Sequence, residues 1–531
     1  MCGIASLISG DPTRLARLDQ MLAVLHKRGP DHLAQWHGDG VAMGHTRLSL
    51  LDLSPAGDQP MQLGPWVLSY NGEIYNHLEL RRQYLAHVNF HGASDTETLL
   101  HLIAERGVTG TLPLLRGMFA FAVWNSTERE LTCAVDPFGI KPLYYWDGIT
   151  EFGVASSSAA LLKFVPTRRM DAEAMGRFFR LGGTDGVWQG INRLHGGHAI
   201  SYRPGGVHQW RWYFPAFNPN AEQELENTIH EALTQVQLAH VPVGIFLSGG
   251  VDSSLAALCM PQGSHAFHLD SPEREHAELV ANMAGALLHI VHPDQSAVVA
   301  AHLDIATRTG EPTMAGHIPW VVSRCATEYV KAAISANGAD ELFFGYDRTA
   351  RHRTASELLR QDTHMMRSHT SCELPGNGHW THVDLGDPRF PACAHSRWTE
   401  LMLYVQHDLN PTLDAASMCH SLELRVPYLD HKLVECALSL PHSFHGNKRV
   451  LRDLLLRSGV PASTVDHTKL GFSMAVNNPG MVARMDEAVR YMERHHGITI
   501  HRNASPRDKA YLRVCAMAWQ VWEQHWKPYM N

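Results

Sequence analysis

The sequence lacks the features of secreted, membrane-spanning and disulfide-stabilised proteins. No apolar run approaches the roughly 20 residues that span a bilayer, and no basic segment followed by an apolar core opens the chain. The nine cysteines are scattered and odd in number, and no pair is spaced as CxxC, so neither a disulfide framework nor zinc-ligand spacing is predicted. These absences favour a protein of the reducing cytoplasm that has no membrane partner.

A surplus of basic residues is also absent. The chain has 45 Lys and Arg against 53 Asp and Glu, so its net charge of -8 offers no basic surface for nucleic acid. Histidine is abundant, with 36 residues, and several lie between His352 and His395. No pair in that segment combines helical metal-ligand spacing with a nearby carboxylate. The composition favours a soluble protein that acts on small molecules.

The length of 531 residues exceeds what one ordinary hydrophobic core accommodates, which favours two domains. Residues 1–203 are predicted to form a sandwich of antiparallel sheets flanked by helices. Short apolar stretches typical of strands recur there, at 66–70, 118–124 and 131–135. Hairpin or tight-turn signals separate such stretches, at 38–40, 71–72 and 147–148.

Residues 204–221 are predicted to form a linker, because proline and glycine interrupt every regular pattern there. The second domain, residues 222–531, opens as an α/β unit. Its pattern predicts helices over 222–239 and 273–288, a helix that begins at Ser253, and strands over 241–247, 289–291 and 330–335. Alternating strands and helices imply a parallel sheet. Beyond Tyr346 the pattern predicts mostly helix.

Cys2 would become a nucleophile with its own base if Met1 were removed, because thiol and α-amine would share one residue. An α-amine with a pKa of about 8 accepts the thiol proton near neutral pH. A cysteine at position two is weak support by itself. Four further segments follow it in order: HKRGPD at 26–31, GHTRLS at 44–49, YNGEIYN at 70–76 and SDTE at 94–97. Together they resemble the class II glutamine amidotransferase domain, an N-terminal nucleophile fold.

This resemblance implies that Cys2 attacks glutamine while Asn71 and Gly72 donate hydrogen bonds to the oxyanion. Free glutamine carries a carboxylate and an ammonium, so its pocket needs a fixed cation and fixed anions. The resemblance assigns glutamine binding to Arg47, Leu48, Asn71, Gly72, Glu73 and Asp95, with Arg47 at the carboxylate and with Glu73 and Asp95 at the ammonium. Taken alone, Arg47 has a surface ion pair as its alternative role. The alternative for residues 71–72 is a hairpin turn.

The run SGGVDSS at 248–254 follows a predicted buried strand, and its glycine N–H groups, hydroxyls and helix N-terminus are suited to phosphate. No GK[ST] follows, so the loop is not a Walker motif. It resembles the pyrophosphate loop of ATP pyrophosphatases, and both halves together resemble the glutamine-hydrolysing asparagine synthetase family. The resemblance assigns ATP and pyrophosphate to Leu247, Ser248, Gly249, Gly250, Asp252, Ser253, Ser254, Gly338 and Lys448. It assigns Mg²⁺ to Asp252 and Asp340, because this cation prefers oxygen ligands.

The acceptor region implied by the resemblance comprises Asn337, Asp340, Glu423 and Arg425, and several of its neighbours depart from the family. The family usually has an acidic residue at 337, and an amide cannot carry protons as a carboxylate does. Other departures are Val135 and Ala415 where arginine is usual, Ser157 for glutamate, and Ala336 and Phe344 for glycine. The segments 414–418 and 421–431 resemble the helical part that closes the synthetase site. Lys469 matches a family lysine, but a solvated surface role suits it nearly as well.

The predicted reaction is AMP-forming amide synthesis. Glutamine is hydrolysed to glutamate and ammonia, ATP with Mg²⁺ adenylates a carboxylate, and ammonia reaches that carboxylate along an enclosed path. Aspartate is the first acceptor by family frequency, and a uronic acid sugar or natural-product intermediate is the alternative, motivated by Asn337 and Ala415. A non-catalytic family member is a third hypothesis. No zinc, haem or flavin is expected, and a homodimer remains open.

Overall fold

The computed structural model describes residues 2–346, apart from 172, 184 and 293–294, and then residues 387–467, 479–498 and 506–530. Met1, most of the His-rich segment and Lys469 lie outside these ranges. None of the helices in the described part is both long and apolar enough to cross a membrane.

The first half of the described chain contains two antiparallel sheets of six strands each. The strands are β1 (Gly3–Ile8), β2 (His32–Gly38), β3 (Val41–Arg47), β4 (Met61–Leu63), β5 (Trp66–Ile74), β6 (Gly117–Asn125), β7 (Glu130–Val135), β8 (Tyr144–Asp147), β9 (Phe152–Ala155), β10 (Ile191–Arg193), β11 (His198–Arg203) and β12 (Gly206–Arg211). One sheet has the order β10-β8-β9-β1-β3-β2, and the other has the order β12-β11-β7-β6-β5-β4.

Apolar side chains fill the space between these two sheets. Ile4 and Met43 of one sheet join Val67, Ala122 and Cys133 of the other in one buried cluster. Alternation along the strands turns these residues inward, which is the pattern of a sandwich. Helices cover the outer faces: Leu18–Leu25 the first sheet, and His77–Tyr84 and Asp95–Thr111 the second. The predicted sandwich of antiparallel sheets is confirmed.

Two local predictions in this half are wrong. Residues 71–72 form no turn: they lie inside β5, where Asn71 pairs with Ala120 and Gly72 with Phe119. Glycine is needed there because a Cβ at 72 would lie 2.1 Å from the Met118 carbonyl oxygen. The hairpin signals at 38–40 and 147–148 do separate β2 from β3 and β8 from β9.

The second wrong prediction is the irregular linker that would begin at 204. β12 pairs with β11 along its whole length, so only a tight turn at 204–205 separates the two strands. Gly205 and Gly206 have φ values of 122° and 143°, a region open mainly to glycine, so they close a hairpin rather than end a domain. We therefore propose that the domain boundary lies after Arg211.

The second half contains a parallel sheet of five described strands, as predicted. They are β13 (Val243–Phe246), β14 (His265–Leu269), β15 (Leu287–Val291), β16 (Ala332–Ile334) and β17 (Glu423–Arg425), in the order β15-β14-β13-β16-β17. The prediction that residues 421–431 are helical is wrong, because β17 pairs in parallel with β16 over three residues. A strand of three residues is too short to show the alternation of apolar and polar residues by which a strand is predicted from sequence.

Helices surround the parallel sheet and form most of the remaining described chain. The predicted helices at 222–239 and 273–288 end early, at Gln235 and Ala284. The helices of this half are Ala221–Gln235, Val251–Leu258, Arg274–Ala284, Gln295–Thr309, His317–Ala326, Ala339–Leu342, Ala394–Glu400, Asn410–Met418, His431–Leu438, His442–His445, Arg449–Arg457, Ala462–Val465, Pro479–His496 and Pro506–Trp526. A π-helix, Leu401–Leu409, joins Ala394–Glu400 to Asn410–Met418. The first half adds Pro12–Leu15, Ser158–Leu161 and Ala174–Leu181.

Buried ion pairs join the two halves. Arg28 reaches both carboxylate oxygens of Asp414, with N···O distances of 2.8 and 3.2 Å. Arg116 binds Asp430 in the same two-pronged way, at 2.7 and 3.0 Å. Such geometry gives direction as well as attraction, so these pairs fix the two halves in one relative position.

We expect Arg28→Ala to lower the free energy of unfolding by about 3 to 5 kcal/mol, because it leaves the buried Asp414 carboxylate unpaired. Urea denaturation followed by tryptophan fluorescence measures this change. Arg457→Ala is the matched control, since Arg457 pairs with Glu226 on the surface and should hardly matter. If both substitutions lowered the free energy of unfolding equally, the Arg28–Asp414 pair would not have the stabilising role described here.

Candidate functional site

Cys2 directly precedes β1 (Gly3–Ile8). Its backbone N–H donates to Asn71 Oδ1 at 2.8 Å, and its carbonyl accepts from Arg28 Nε at 3.1 Å. Burial raises the pKa of the Cys2 thiol, while the Leu48 N–H and the Arg47 charge act in the opposite direction. The structure therefore brings Cys2, Arg47, Leu48 and Asn71 together.

Asn71 is positioned as a hydrogen-bond donor. Its Oδ1 accepts from the Cys2 nitrogen, while its buried Nδ2 has no partner among the described residues. A buried N–H left unpaired is costly unless a ligand satisfies it. The side-chain amide beside a thiol therefore supplies a donor that an oxyanion would use.

Arg47, Asp95 and Glu73 are all buried, and each already has partners. Arg47 donates to the Ser54 carbonyl at 2.9 Å and pairs with Asp58 at 2.7 Å. Asp95 accepts from the Tyr70 hydroxyl at 2.7 Å and from the Ile74 N–H at 2.9 Å. Glu73 lies 3.4 Å from Arg425. The assignment of all three side chains to glutamine stays a prediction.

Glu423 and Arg425 lie side by side on β17, and their assignment to the acceptor region stays a prediction. Both are fully buried on β17, and Arg425 Nε pairs with Glu423 at 2.7 Å. Arg425 also approaches Glu73 at 3.4 Å. Burial would raise the pKa of Glu423, but the Arg425 guanidinium and other nearby positive charges lower it. These two residues thus extend the charged surroundings of Cys2 from the synthetase side.

The loop from 248 to 254 connects β13 to the helix Val251–Leu258. Ser253 Oγ accepts from the Ser248 N–H at 3.1 Å, and Ser248 Oγ accepts from the Gly250 N–H at 3.2 Å. Gly249 has a φ of 86°, and a Cβ there would lie 2.9 Å from the Glu273 carbonyl oxygen. The loop is thus a tight turn at a helix N-terminus, the geometry that binds phosphate.

Two carboxylates and one ammonium meet beside this loop. Lys448 Nζ lies 2.6 Å from Asp340 Oδ1 and also contacts Asp252. Burial opposes the charge of Lys448, yet the two carboxylates raise its pKa above the ordinary value. The second oxygen of Asp252 is buried and has no hydrogen-bond partner among the residues that the structure describes. This arrangement concentrates negative charge at a point where a cation is needed.

A cavity of about 300 Å³ opens next to these groups. Predicted residues in its lining are Leu247, Ser248, Asp252, Ser253, Asn337, Gly338 and Asp340. Asn337 Oδ1 accepts from Ser335 Oγ at 3.2 Å, so one end of the cavity is polar. Its volume lies at the small end of the range of ligand pockets, before any movement of the surrounding chain.

Several lining residues were not predicted. Phe246, Leu269, Ile318 and Val322 form an apolar wall suited to a flat aromatic ring. Their strand and helix patterns predict burial but give no sign of a cavity. Glu341 also lines the cavity; burial, followed by the Asp340 charge, raises its pKa to about 7. Its position next to Asp340 in the sequence is the feature that could have indicated a place in the cavity lining.

A second, much smaller cavity of about 30 Å³ lies where the two halves meet. Arg28 and Ser157 line it from one side, and Asp414 and Ala415 line it from the other. Ser157 and Ala415 are two of the positions at which the chain departs from its relatives. The structure therefore brings two distant departures into one enclosed space.

Comparison with known proteins assigns the two halves of the chain to two domain families. A family model described as a glutamine amidotransferase domain matches residues 1–213, and one described as asparagine synthase matches residues 224–528. A putative glutamine-hydrolysing asparagine synthetase of Mycobacterium tuberculosis (strain H37Rv) is 30% identical, covering 86% of this chain and 83% of the relative.

Two further relatives are more distant. Asparagine synthetase 1 of Bacillus subtilis (strain 168) is 26% identical over 92% of this chain and 89% of its own. A Gibberella zeae protein named Amidase chry2 is 27% identical over 65% of this chain and 60% of its own. The chain therefore belongs to the asparagine synthase family and is a glutamine-dependent ligase that joins a glutamine amidotransferase domain to an asparagine synthase domain.

Proposed function

We propose that this chain hydrolyses glutamine at Cys2 and uses the ammonia to amidate a carboxylate that ATP has adenylated in the 300 Å³ cavity. One observation carries the proposal. A thiol beside an unpaired amide donor and a phosphate-type loop beside two carboxylates occur in one chain, joined by buried ion pairs. Each site has the groups that its half of the reaction needs.

In the first half-reaction, Cys2 Sγ attacks the side-chain amide of glutamine. Removal of Met1 turns the Cys2 nitrogen into an α-amine, which Asn71 Oδ1 already orients at 2.8 Å. That amine takes the thiol proton and passes it to the leaving ammonia. The free Asn71 Nδ2 and the Gly72 N–H stabilise the oxyanion, and water then releases glutamate from the thioester.

In the second half-reaction, the residues around the cavity bind ATP and the acceptor. The loop N–H groups hold phosphate, and the wall that includes Leu247 and Ile318 packs against the purine ring. Mg²⁺, when bound, neutralises the phosphate charge. Asp252 and Asp340 fit this ion, since both already coordinate an ammonium and Asp252 keeps an unpaired oxygen. Lys448 then neutralises the departing pyrophosphate.

Aspartate is the acceptor that we propose first, because the similar mycobacterial and Bacillus proteins are named asparagine synthetases. One observation favours a different carboxylate. Asn337, not an acidic residue, lines the cavity, and Ala336 lies beside it. One relative is named an amidase, which also leaves the acceptor open in this family.

A substrate panel separates these acceptors. We expect aspartate to stimulate pyrophosphate release by at least about tenfold over no acceptor, with one asparagine formed per pyrophosphate. Glutamate, a uronic acid and buffer alone are the controls in the same assay. Release that responds to another carboxylate, and not to aspartate, would replace aspartate in the proposal. No release with any acceptor, together with no glutaminase activity, would favour a non-catalytic protein.

A further inference from the structure

A carboxylate and two imidazoles from distant parts of the sequence meet where the two halves of the chain pack together. Asp185 and His195 flank β10 of the first half, and His407 lies on the π-helix Leu401–Leu409 of the second. Within the part of the chain that the structure describes, no other set of three His, Cys, Asp or Glu side chains converges in this way. The reaction proposed above makes no use of these three residues.

The three side chains have the spacing of metal ligands. One donor atom from each lies within 4.8 Å of the other two. His195 Nδ1 is 3.9 Å from Asp185 Oδ1, and His407 Nδ1 contacts the same oxygen. Metal–nitrogen bonds of about 2.0 to 2.1 Å in a tetrahedral site place ligand atoms about 3.3 Å apart. Small rotations of these side chains would therefore enclose an ion.

The backbone around the cluster holds the ligands in position. The Arg193 N–H donates to the Asp185 carbonyl at 3.0 Å, which fixes the segment on one side of β10. The Gly196 N–H donates to Gln406 Oε1 at 3.0 Å, which ties the His195 loop to the residue before His407. A π-helical turn is unusual and is often found where side chains serve a function. Such support keeps a site close to its bound geometry before the ion arrives.

The three side chains differ in solvent exposure. This difference suits a bound ion that keeps one coordination position open to solvent. The His407 side chain is 3% exposed, Asp185 21% and His195 37%. An ion held by three protein ligands would thus keep one coordination position toward solvent, for water. The Arg193 guanidinium, whose charge acts on Asp185 and His195, donates to the Gly139 carbonyl at 2.9 Å and also to the Gln406 carbonyl.

We propose that Asp185, His195 and His407 bind one divalent transition-metal ion, of which Zn²⁺ is the ion to test. Imidazole nitrogen with one carboxylate suits zinc and similar ions better than magnesium or calcium, which prefer oxygen. The ion links loops of the glutaminase half to the π-helix of the synthetase half. It acts as a clamp between the halves, because an ion that binds only the folded chain stabilises it.

Zinc binding by the full-length protein tests this proposal. The chain is stripped with a chelator, titrated with Zn²⁺, and its bound metal is counted by mass spectrometry after dialysis. We expect His195→Ala to remove one equivalent of bound zinc, or to weaken that equivalent at least tenfold. Zinc should also raise the melting temperature of the unaltered protein and raise that of the variant less.

His87→Ala is the matched control, because His87 also contacts a carboxylate, Glu105 at 2.9 Å, but at the surface and with no third ligand. Zinc bound by histidines elsewhere in the chain is unaffected by either substitution, so the difference between the variants isolates this cluster. Asp185→Asn, which keeps the side-chain size, should lose the same equivalent. If His195→Ala and Asp185→Asn both bind as much zinc as His87→Ala, the three residues are only a hydrogen-bonded contact and the proposal fails.

Discussion

Replacing Cys2 with alanine is expected to abolish glutamine-dependent amide formation while leaving ammonia-dependent amide formation nearly unchanged. The substitution removes the nucleophile, so glutamine hydrolysis should fall by at least about a thousandfold. The synthetase cavity lies in the other half, and none of the described residues that line it belongs to the two antiparallel sheets. Added ammonium salt therefore supplies the nitrogen that the altered half no longer makes. Glutamate release and pyrophosphate release, measured on one sample, separate the two effects.

Cys325→Ala is the control for the Cys2 experiment, because Cys325 is also an unpaired, partly exposed cysteine but lies on the helix His317–Ala326. It should retain both activities. Intact-mass measurement of the active protein should show that Met1 is absent, since a blocked Cys2 nitrogen cannot accept the thiol proton. Glutaminase activity that survives Cys2→Ala would place the nucleophile elsewhere.

Asp340→Asn is expected to impair the synthetase reaction and leave glutamine hydrolysis intact. It keeps the side-chain size but removes one of the two charges that surround Lys448, so ATP-dependent pyrophosphate release should fall about a hundredfold or more. Glutamine hydrolysis should persist, because Cys2, Asn71 and Arg28 are untouched. Raising the Mg²⁺ concentration should restore part of the lost rate if Asp340 holds the ion.

Asp453→Asn serves as the control for the Asp340 experiment. Asp453 is five residues from Lys448 and is more than half exposed, near Arg449 on the helix surface. Its substitution removes the same charge outside the cavity and should leave both half-reactions unchanged. Equal losses in the two variants would show that overall charge, rather than the position of Asp340, controls the rate.

Motifs with local chemistry were predictable from the sequence. Cys2 and the loop at 248–254 each depend on neighbours in the chain, since a thiol with its own α-amine and a glycine turn before a helix are local features. The two sheet types were predictable for a similar reason, because alternation and strand–helix order are read along the chain. The structure confirms both sheet types, antiparallel in the first half and parallel in the second.

Some predictions failed because the same residues occur in more than one kind of backbone structure. Asn-Gly at 71–72 is typical of a hairpin, but here glycine serves the close approach of β5 to β6. Glycines at 205–206 were read as part of a linker, but they close the hairpin between β11 and β12. β17 was missed because three residues inside a helical region show no strand period. In each case pairing with another strand decides the outcome.

By itself, the sequence determined the family and predicted the thiol nucleophile and the phosphate loop, because their chemistry lies in short runs of residues. Tertiary structure alone decided which distant groups meet. It paired Arg28 with Asp414, 386 positions away, and brought Arg425 of the second half close to Glu73 of the first. It also brought Asp185 and His195 to His407, although no spacing in the sequence indicates a metal site. Such contacts depend on how sheets and helices pack against each other. The pattern of residues within one element does not indicate that packing.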